Sequence, residues 1–171
     1  MTSDSARSAD TVTDTEHGVA APHFPLPRAT HIGVVRLQIA DLARSLAYYE
    51  RVLGLRVLRR SDSVAALGPV GAEAPILELH ERRGAKPVPK RGRLGLFHFA
   101  ILLPDRASLG RLVAHLSEIG AYAGMSDHFV SEAIYLTDPD GLGIEVYADR
   151  PRDQWRYAGP ELQMSTVPLN V

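Results

Sequence analysis

The feature that most constrains this chain is that its sequence states one structural pattern twice. HIGVVRLQIA places Val35, Leu37 and Ile39 in strand alternation. Asp41 follows at an N-cap position, then Leu42, Leu46, Tyr49 and Leu53 at helical spacing, then Gly54 as a stop. LRVLRRSD, SVAALGPV and APILELHE read as three short strands. After a basic stretch with Pro and Gly, ERRGAKPVPKRGRLG, which reads as a linker or a mobile flap, the order recurs. GLFHFAILLP repeats the first strand, Asp105 the cap, Leu109, Leu112, Val113 and Leu116 the helix face, and Gly120 the stop. AYAGMSD, EAIYLTD and LGIEVYA follow as strands, the last two joined by the turn Asp138-Pro139-Asp140-Gly141. The predicted fold class is α+β: two βαβββ modules, 29–83 and 94–149, forming one cup-shaped mixed sheet with helices on the outside.

Length and composition set the frame around this repeat. At 171 residues and 45% hydrophobic the chain suits one domain, expected over 29–157, preceded by a disordered leader (1–28) and followed by an extended tail (158–171). Lys plus Arg total 19 against 20 Asp plus Glu, so the net charge of -1 offers no footprint for nucleic acid or an anionic membrane. No stretch is apolar enough to span a membrane and no secretory signal opens the chain, which predicts a cytoplasmic protein. With no cysteine, disulfides and thiolate ligands are excluded, and any metal falls to the seven histidines and the carboxylates.

The two copies can be aligned through their caps. Asp41 and Asp105 stand 64 residues apart, which pairs Val34 with His98; in the fourth strand of each unit Glu78 pairs with Glu145, 67 residues apart. Strand parity sends Phe97, Phe99, Ile101 and Leu103 toward the helices and leaves His98 on the inner face, while Ile144, Val146 and Ala148 leave Glu145 and Tyr147 there. Leu77 and Leu79 likewise oppose Glu78 and His80, and Val35, Leu37 and Ile39 oppose Val34, Arg36 and Gln38. A carboxylate in an apolar strand costs several kcal/mol to bury alone, so Glu78 and Glu145 ask for a cation, a metal or a wet cavity. Imidazole and carboxylate together suit Fe(II), Mn(II), Ni(II) or Zn(II), although a strand histidine such as His98 also fits a structural role. His80 shares the parity of Glu78 and is either a ligand or acid–base group or a solvated rim residue. His128, in SDHFVSEAIYL, is either a base carried over the cup by its loop or a surface histidine. His31 and His115 read as structural or exposed. Arg36 and Gln38 are candidates for an anionic or phenolic substrate or for a solvated strand end, and Val34 and Tyr147 line the same face as further substrate-contact positions.

These motifs resemble the vicinal oxygen chelate superfamily, which includes glyoxalase I, bleomycin-resistance proteins and extradiol catechol dioxygenases. The resemblance rests on ADLARSLAYYERVLGLRVL, GLFHFAILLPDR and SEAIYLTDPDGLGIEVYADRPRDQW. It is strongest to the N-terminal domain of two-domain bacterial catechol dioxygenases, whose inter-domain linker the tail Pro160-Glu161-Leu162-Gln163-Met164 resembles. It implies metal ligands from the first, fourth, fifth and eighth strands, here Val34, Glu78, His98 and Glu145, of which valine cannot ligate. In the dioxygenases a tyrosine ten residues before the carboxylate ligand orients substrate, and Tyr135 stands ten before Glu145.

The expected function is therefore a metal-dependent oxygenase of the extradiol type acting on a small aromatic or vicinal-oxygen substrate. Glu78, His98 and Glu145 would hold a divalent metal, Fe(II) first, with Tyr135, His80 and His128 as catalytic groups. The alternatives are a bleomycin-resistance-type binding protein, which Val34 favours and which needs no metal, and a glyoxalase-like lyase or isomerase. A partner subunit for a separate catalytic domain is a further reading. A homodimer is expected.

Overall fold

A computed structural model describes residues 26–27, 29–87, 95–121 and 123–170. Most of the expected leader and residues 88–94 of the basic stretch lie outside the described residues. The first module is β1 (Val35–Ile39), α1 (Leu42–Leu53), β2 (Arg56–Arg60), β3 (Val64–Gly68) and β4 (Leu77–Glu81). The second is β5 (His98–Leu102), α2 (Arg106–Glu118), β6 (Gly124–Asp127), β7 (Ser131–Thr137) and β8 (Gly143–Asp149). The mixed α+β architecture of two βαβββ modules is as expected.

Local chemistry explains why the helices begin and end where they do. The Asp41 carboxylate accepts the Arg44 N–H at 2.8 Å, and Asp105 does the same for Ser108 at 2.7 Å, satisfying donors that a helix N-terminus leaves unpaired. Gly54, at φ +67°, adopts the left-handed conformation that returns its N–H to the Glu50 carbonyl, a geometry open to glycine without a Cβ penalty. Each helix carries the chain across its sheet, from β1 to β2 and from β5 to β6, and the first strand of each module pairs in parallel with its last, β1 with β4 and β5 with β8. Strand order is β1-β4-β3-β2 in one sheet and β11 (Val167–Pro168)-β6-β7-β8-β5 in the other, so each module forms its own hydrogen-bonded sheet. The strand added to the second sheet, β11, is described with the tail below.

The alternation predicted for the strands holds over their paired lengths. Leu37, Ile39, Leu77 and Leu79 of the first module and Phe99, Ile144 and Val146 of the second are buried in one core with Leu46, Tyr49, Leu109 and Leu116 of the helices. Phe97 is the exception. Expected on the helix side, it lies just ahead of β5 and is 84% exposed, its ring edge-on to that of His98 at 5.4 Å. Parity governs a side chain only while the backbone is paired, and pairing starts at His98.

A buried polar joint ties the modules together. The Tyr49 hydroxyl on α1 donates to Asp138 Oδ2 at 3.0 Å, and Asp138 Oδ1 accepts the backbone N–H groups of Asp140 and Leu142 within its own turn. Asp140 accepts Arg44 Nη2 at 2.7 Å. His115 on α2 bonds the Arg51 carbonyl in the last turn of α1 at 2.8 Å, which settles its structural reading. Burial pushes the Asp138 carboxyl above its ordinary range.

Beyond β8 the chain forms a 3-10 turn (Arg152–Gln154) and a small hairpin of β9 (Tyr157–Ala158) and β10 (Glu161–Leu162). Then β11 (Val167–Pro168) pairs antiparallel with β6. Among the described residues no helix is long and apolar enough to cross a membrane.

Candidate functional site

The second module assembles a four-residue run of polar side chains on the face turned away from the helices. Glu145 sits in the middle of β8, opposite Ala100 of β5 on one side and Tyr135 of β7 on the other. Its Oε2 lies 3.1 Å from His98 Nε2, and its Oε1 accepts the Tyr135 hydroxyl at 3.0 Å. Tyr135 in turn meets His128 Nε2 at 2.7 Å, and His128 Nδ1 bonds the Ser165 carbonyl at 2.8 Å.

A carbonyl oxygen only accepts, so His128 Nδ1 carries a proton in that contact. The Tyr135 proton then stands at a branch point, facing Glu145 Oε1 on one side and His128 Nε2 on the other. Burial first, and the hydrogen bond to Glu145 second, push the Tyr135 phenol up to about 12, so at neutral pH it remains a proton donor. Burial also raises Tyr147, which lies on the same face two residues beyond Glu145.

Placement of His98 depends on a residue that sequence reasoning passed over. Gly143 pairs with His98 across β5 and β8, and a Cβ there would stand 2.9 Å from both His98 Cβ and the Phe97 carbonyl. Only glycine lets the two strands approach with the imidazole in this position. A glycine opening a strand is the available signal, since such residues mark close backbone approach.

The first module presents a different face. Arg36 Nε donates to Glu78 Oε2 at 2.7 Å, and His80 Nε2 is 3.5 Å from the same oxygen. Hydrogen bonding and charge from Arg36 hold the Glu78 carboxyl below its ordinary range. Gln38 accepts from Arg82 at 3.5 Å, and Val34, half-buried, lies just before β1. The structure thus brings His98, Glu145, Tyr135 and His128 together, and separately Arg36, Glu78 and His80. Among the described residues no group of three or more His, Asp or Glu side chains is arranged to hold a metal, so the expected ligand set of Glu78, His98 and Glu145 is present here as the pair His98 and Glu145. Glu78 already has its cation in the Arg36 guanidinium, which is the physical reason it stands apart.

Comparison with known proteins agrees with this architecture. Residues 30–146 match the Glyoxalase/Bleomycin resistance protein/Dioxygenase superfamily. The catechol-2,3-dioxygenase of Bacillus subtilis (strain 168) is 51% identical over 127 residues, which cover 74% of this chain and 44% of that protein. The lactoylglutathione lyase of Salmonella typhimurium is 28% identical over 119 residues, 64% of this chain and 86% of that one. Among solved structures, a glyoxylase/bleomycin resistance protein/dioxygenase domain from Frankia sp. EAN1pec aligns with a TM-score of 0.58 at 22% identity, covering 71% of this chain and 98% of that one. A glyoxalase/dioxygenase from Nostoc punctiforme aligns with a TM-score of 0.57 at 20% identity, covering 77% of this chain and 100% of that one. The chain spans less than half the length of the Bacillus relative.

Proposed function

Because the chain belongs to the glyoxalase/bleomycin resistance protein/dioxygenase superfamily, we propose that it is a metal-dependent oxygenase domain of the extradiol type. Its substrate is a small aromatic compound bearing two adjacent oxygens. The relative named catechol-2,3-dioxygenase, at 51% identity, supports this branch over the glyoxalase-like one, represented at 28%. The observation that carries the reading is the run His98–Glu145–Tyr135–His128.

His98 and Glu145 fit a divalent metal by donor chemistry, an imidazole nitrogen and a carboxylate 3.1 Å apart on a face open to solvent. They would hold Fe(II), or Mn(II), Ni(II) or Zn(II). Such an ion, when bound, acts as a Lewis acid toward the two substrate oxygens. The chain's own residues do the rest. Tyr135 orients a substrate oxygen by hydrogen bonding and, with its phenol held protonated, returns a proton rather than removing one. His128 Nε2, left unprotonated by the Nδ1 contact with the Ser165 carbonyl, is the second acceptor facing the Tyr135 hydroxyl and fixes where that hydroxyl points. Arg36, aimed by Glu78 and with its guanidinium largely exposed, and Gln38 supply an anchor for an acidic or phenolic group, with Tyr147 and Val34 as apolar contacts.

The test is metal analysis after loading with Fe(II) under argon, followed by oxygen uptake with a panel of catechols. Retention of about one metal per chain, lost in His98→Ala, and catechol-dependent uptake support the proposal; an absence of metal retention sinks it.

One observation favours a second reading, a binding protein without turnover. Val34 stands where the family resemblance implies a ligand and Glu78 is taken by Arg36, which leaves two protein donors. Catechol binding that survives a chelator, without oxygen uptake, would select that reading.

A further inference from the structure

We propose that residues Gln163–Asn170 form a positioning strap that holds His128 against Tyr135, so that the tail is a working part of the second module's site. The strap touches His128 at two points. The Ser165 N–H donates to the His128 carbonyl at 3.4 Å, and the Ser165 carbonyl accepts from His128 Nδ1 at 2.8 Å, with Thr166 Oγ1 at 3.4 Å from the same nitrogen. Backbone and ring of one residue are thereby gripped by one neighbour.

The grip is directional. Nδ1 is the ring nitrogen remote from Tyr135, and fixing a proton there presents Nε2, the other nitrogen, to the Tyr135 hydroxyl. An imidazole held on one side only can rotate about its χ angles, whereas this one is pinned at both ends and its side chain is only 16% exposed.

Both ends of the strap are anchored elsewhere. Upstream, the Gln163 N–H donates to the Arg156 carbonyl at 2.9 Å. Downstream, β11 pairs with β6 in the register Val167 to Asp127 and Pro168 to Ser126, directly before His128. Beyond it Leu169 lines a cavity with Arg106, Leu109 and Val113 of α2, and the Asn170 carbonyl accepts from Arg106 Nη2 at 3.4 Å.

The hairpin being held has reason to need support. Phe129 follows His128 at φ +69°, a left-handed conformation that a residue with a Cβ adopts reluctantly and keeps only when its surroundings impose it. Asp127 Oδ1 accepts the Phe129 N–H at 2.8 Å, the Arg150 guanidinium fixes Asp127 at 2.6 Å, and β11 covers the open edge of β6. Releasing the strap removes one of these supports together with the partner of Nδ1.

The catalytic consequence of this hold rests on the oxygenase reading; the hold itself does not, and the experiment separates them. Three full-length proteins and one shortened chain ending at Gln163 are compared by histidine ring nitrogen NMR, with His128→Gln assigning the signal. The full chain is expected to show His128 as a single form protonated at Nδ1. The shortened chain, which lacks the carbonyl that accepts from Nδ1, is expected to show an averaged pair of tautomers, and so is Ser165→Pro, in which loss of the N–H that donates to the His128 carbonyl and the fixed proline φ draw the residue 165 carbonyl away from Nδ1. Ser165→Ala, which keeps both backbone groups, is expected to restore the single form. If the shortened chain does not fold, Ser165→Pro decides by itself. An unchanged His128 signal in Ser165→Pro overturns the proposal. In the Fe(II)-loaded proteins, loss of the hold is expected to lower kcat about tenfold or more while KM stays within about twofold, as for a group that acts in the transition state. If no protein takes up oxygen with any catechol, the oxygenase reading fails while the ring signals still decide the strap.

Discussion

Glu78 and Glu145 occupy the same place in the two halves of this molecule and keep opposite company. In the first half the carboxylate faces Arg36, a cation supplied by the neighbouring strand; in the second, the position aligned with Arg36 is Ala100, and the carboxylate faces His98 and Tyr135. The strand across the sheet differs in the same sense, with Ala66 opposite Glu78 where Tyr135 stands opposite Glu145. Ile76 stands just before β4, where the second module has Gly143, which opens β8 opposite His98. A repeated backbone pattern has therefore kept its hydrogen-bond register while three or four side chains gave one copy an arginine–carboxylate pair and the other a run of histidine, carboxylate and tyrosine. What differs between the two copies is the supply of charge and of hydrogen-bonding side chains beside the carboxylate.

The comparison can be broken at its joint first. Asp138→Ala leaves the Tyr49 hydroxyl and two backbone N–H groups without their acceptor, at about 1 kcal/mol or more for each buried group, so a loss of about 3 kcal/mol in urea unfolding is expected. A change near zero would show that the halves do not depend on this contact. Gly143→Ala comes next. Its Cβ at 2.9 Å from His98 Cβ and the Phe97 carbonyl forces β5 to move, for about 2 kcal/mol of stability by the same measurement and a displaced His98. If the alanine were accommodated without cost, the contrast with Ile76 would lose its meaning.

Metal retention sharpens the contrast directly. Glu145→Gln is expected to weaken binding of Fe(II) or Zn(II) by about tenfold or more, about 1.4 kcal/mol, in equilibrium dialysis, whereas Glu78→Gln leaves it as it is. Equal effects would put both carboxylates in one site.

Two titrations complete the series with smaller signals. Arg36 holds Glu78 low, so the favourable contribution of this pair is present above the ordinary carboxylate range and is lost as pH falls through the folded value. Arg36→Gln should return the Glu78 carbon-13 titration toward the ordinary value of about 4.3. Tyr135 behaves in the opposite sense: its contribution is fully present below the usual tyrosine value near 10 and is lost as pH rises through about 12, which ultraviolet difference spectra of the tyrosinate band can follow against Tyr135→Phe.

Much of this was open to reading in the sequence because periodicity and caps are local. Asp41, Gly54 and Asp105 act through hydrogen bonds within four residues, and strand alternation follows from backbone geometry alone, so both helices, the eight module strands and the inner-face parity of His98, Glu145, Glu78 and Tyr135 could be stated in advance. Phe97 shows where that reasoning stops, since parity says nothing about a residue one step outside the ladder.

Tertiary structure alone decided which inner-face residues meet. That Glu78 would be claimed by Arg36, 42 residues away, is a consequence of strand pairing and side-chain reach. That His128 would come under Tyr135 depends on a tail that carries no periodic signal of its own and that finds its place only because β6 leaves an edge to pair with. The repeat by itself determined that there would be two equivalent carboxylates. Which of them has a cation already beside it, and which has a histidine admitted by a close glycine contact, was settled by long-range packing, where each side chain's partner is chosen by distance in the fold and not by distance along the chain.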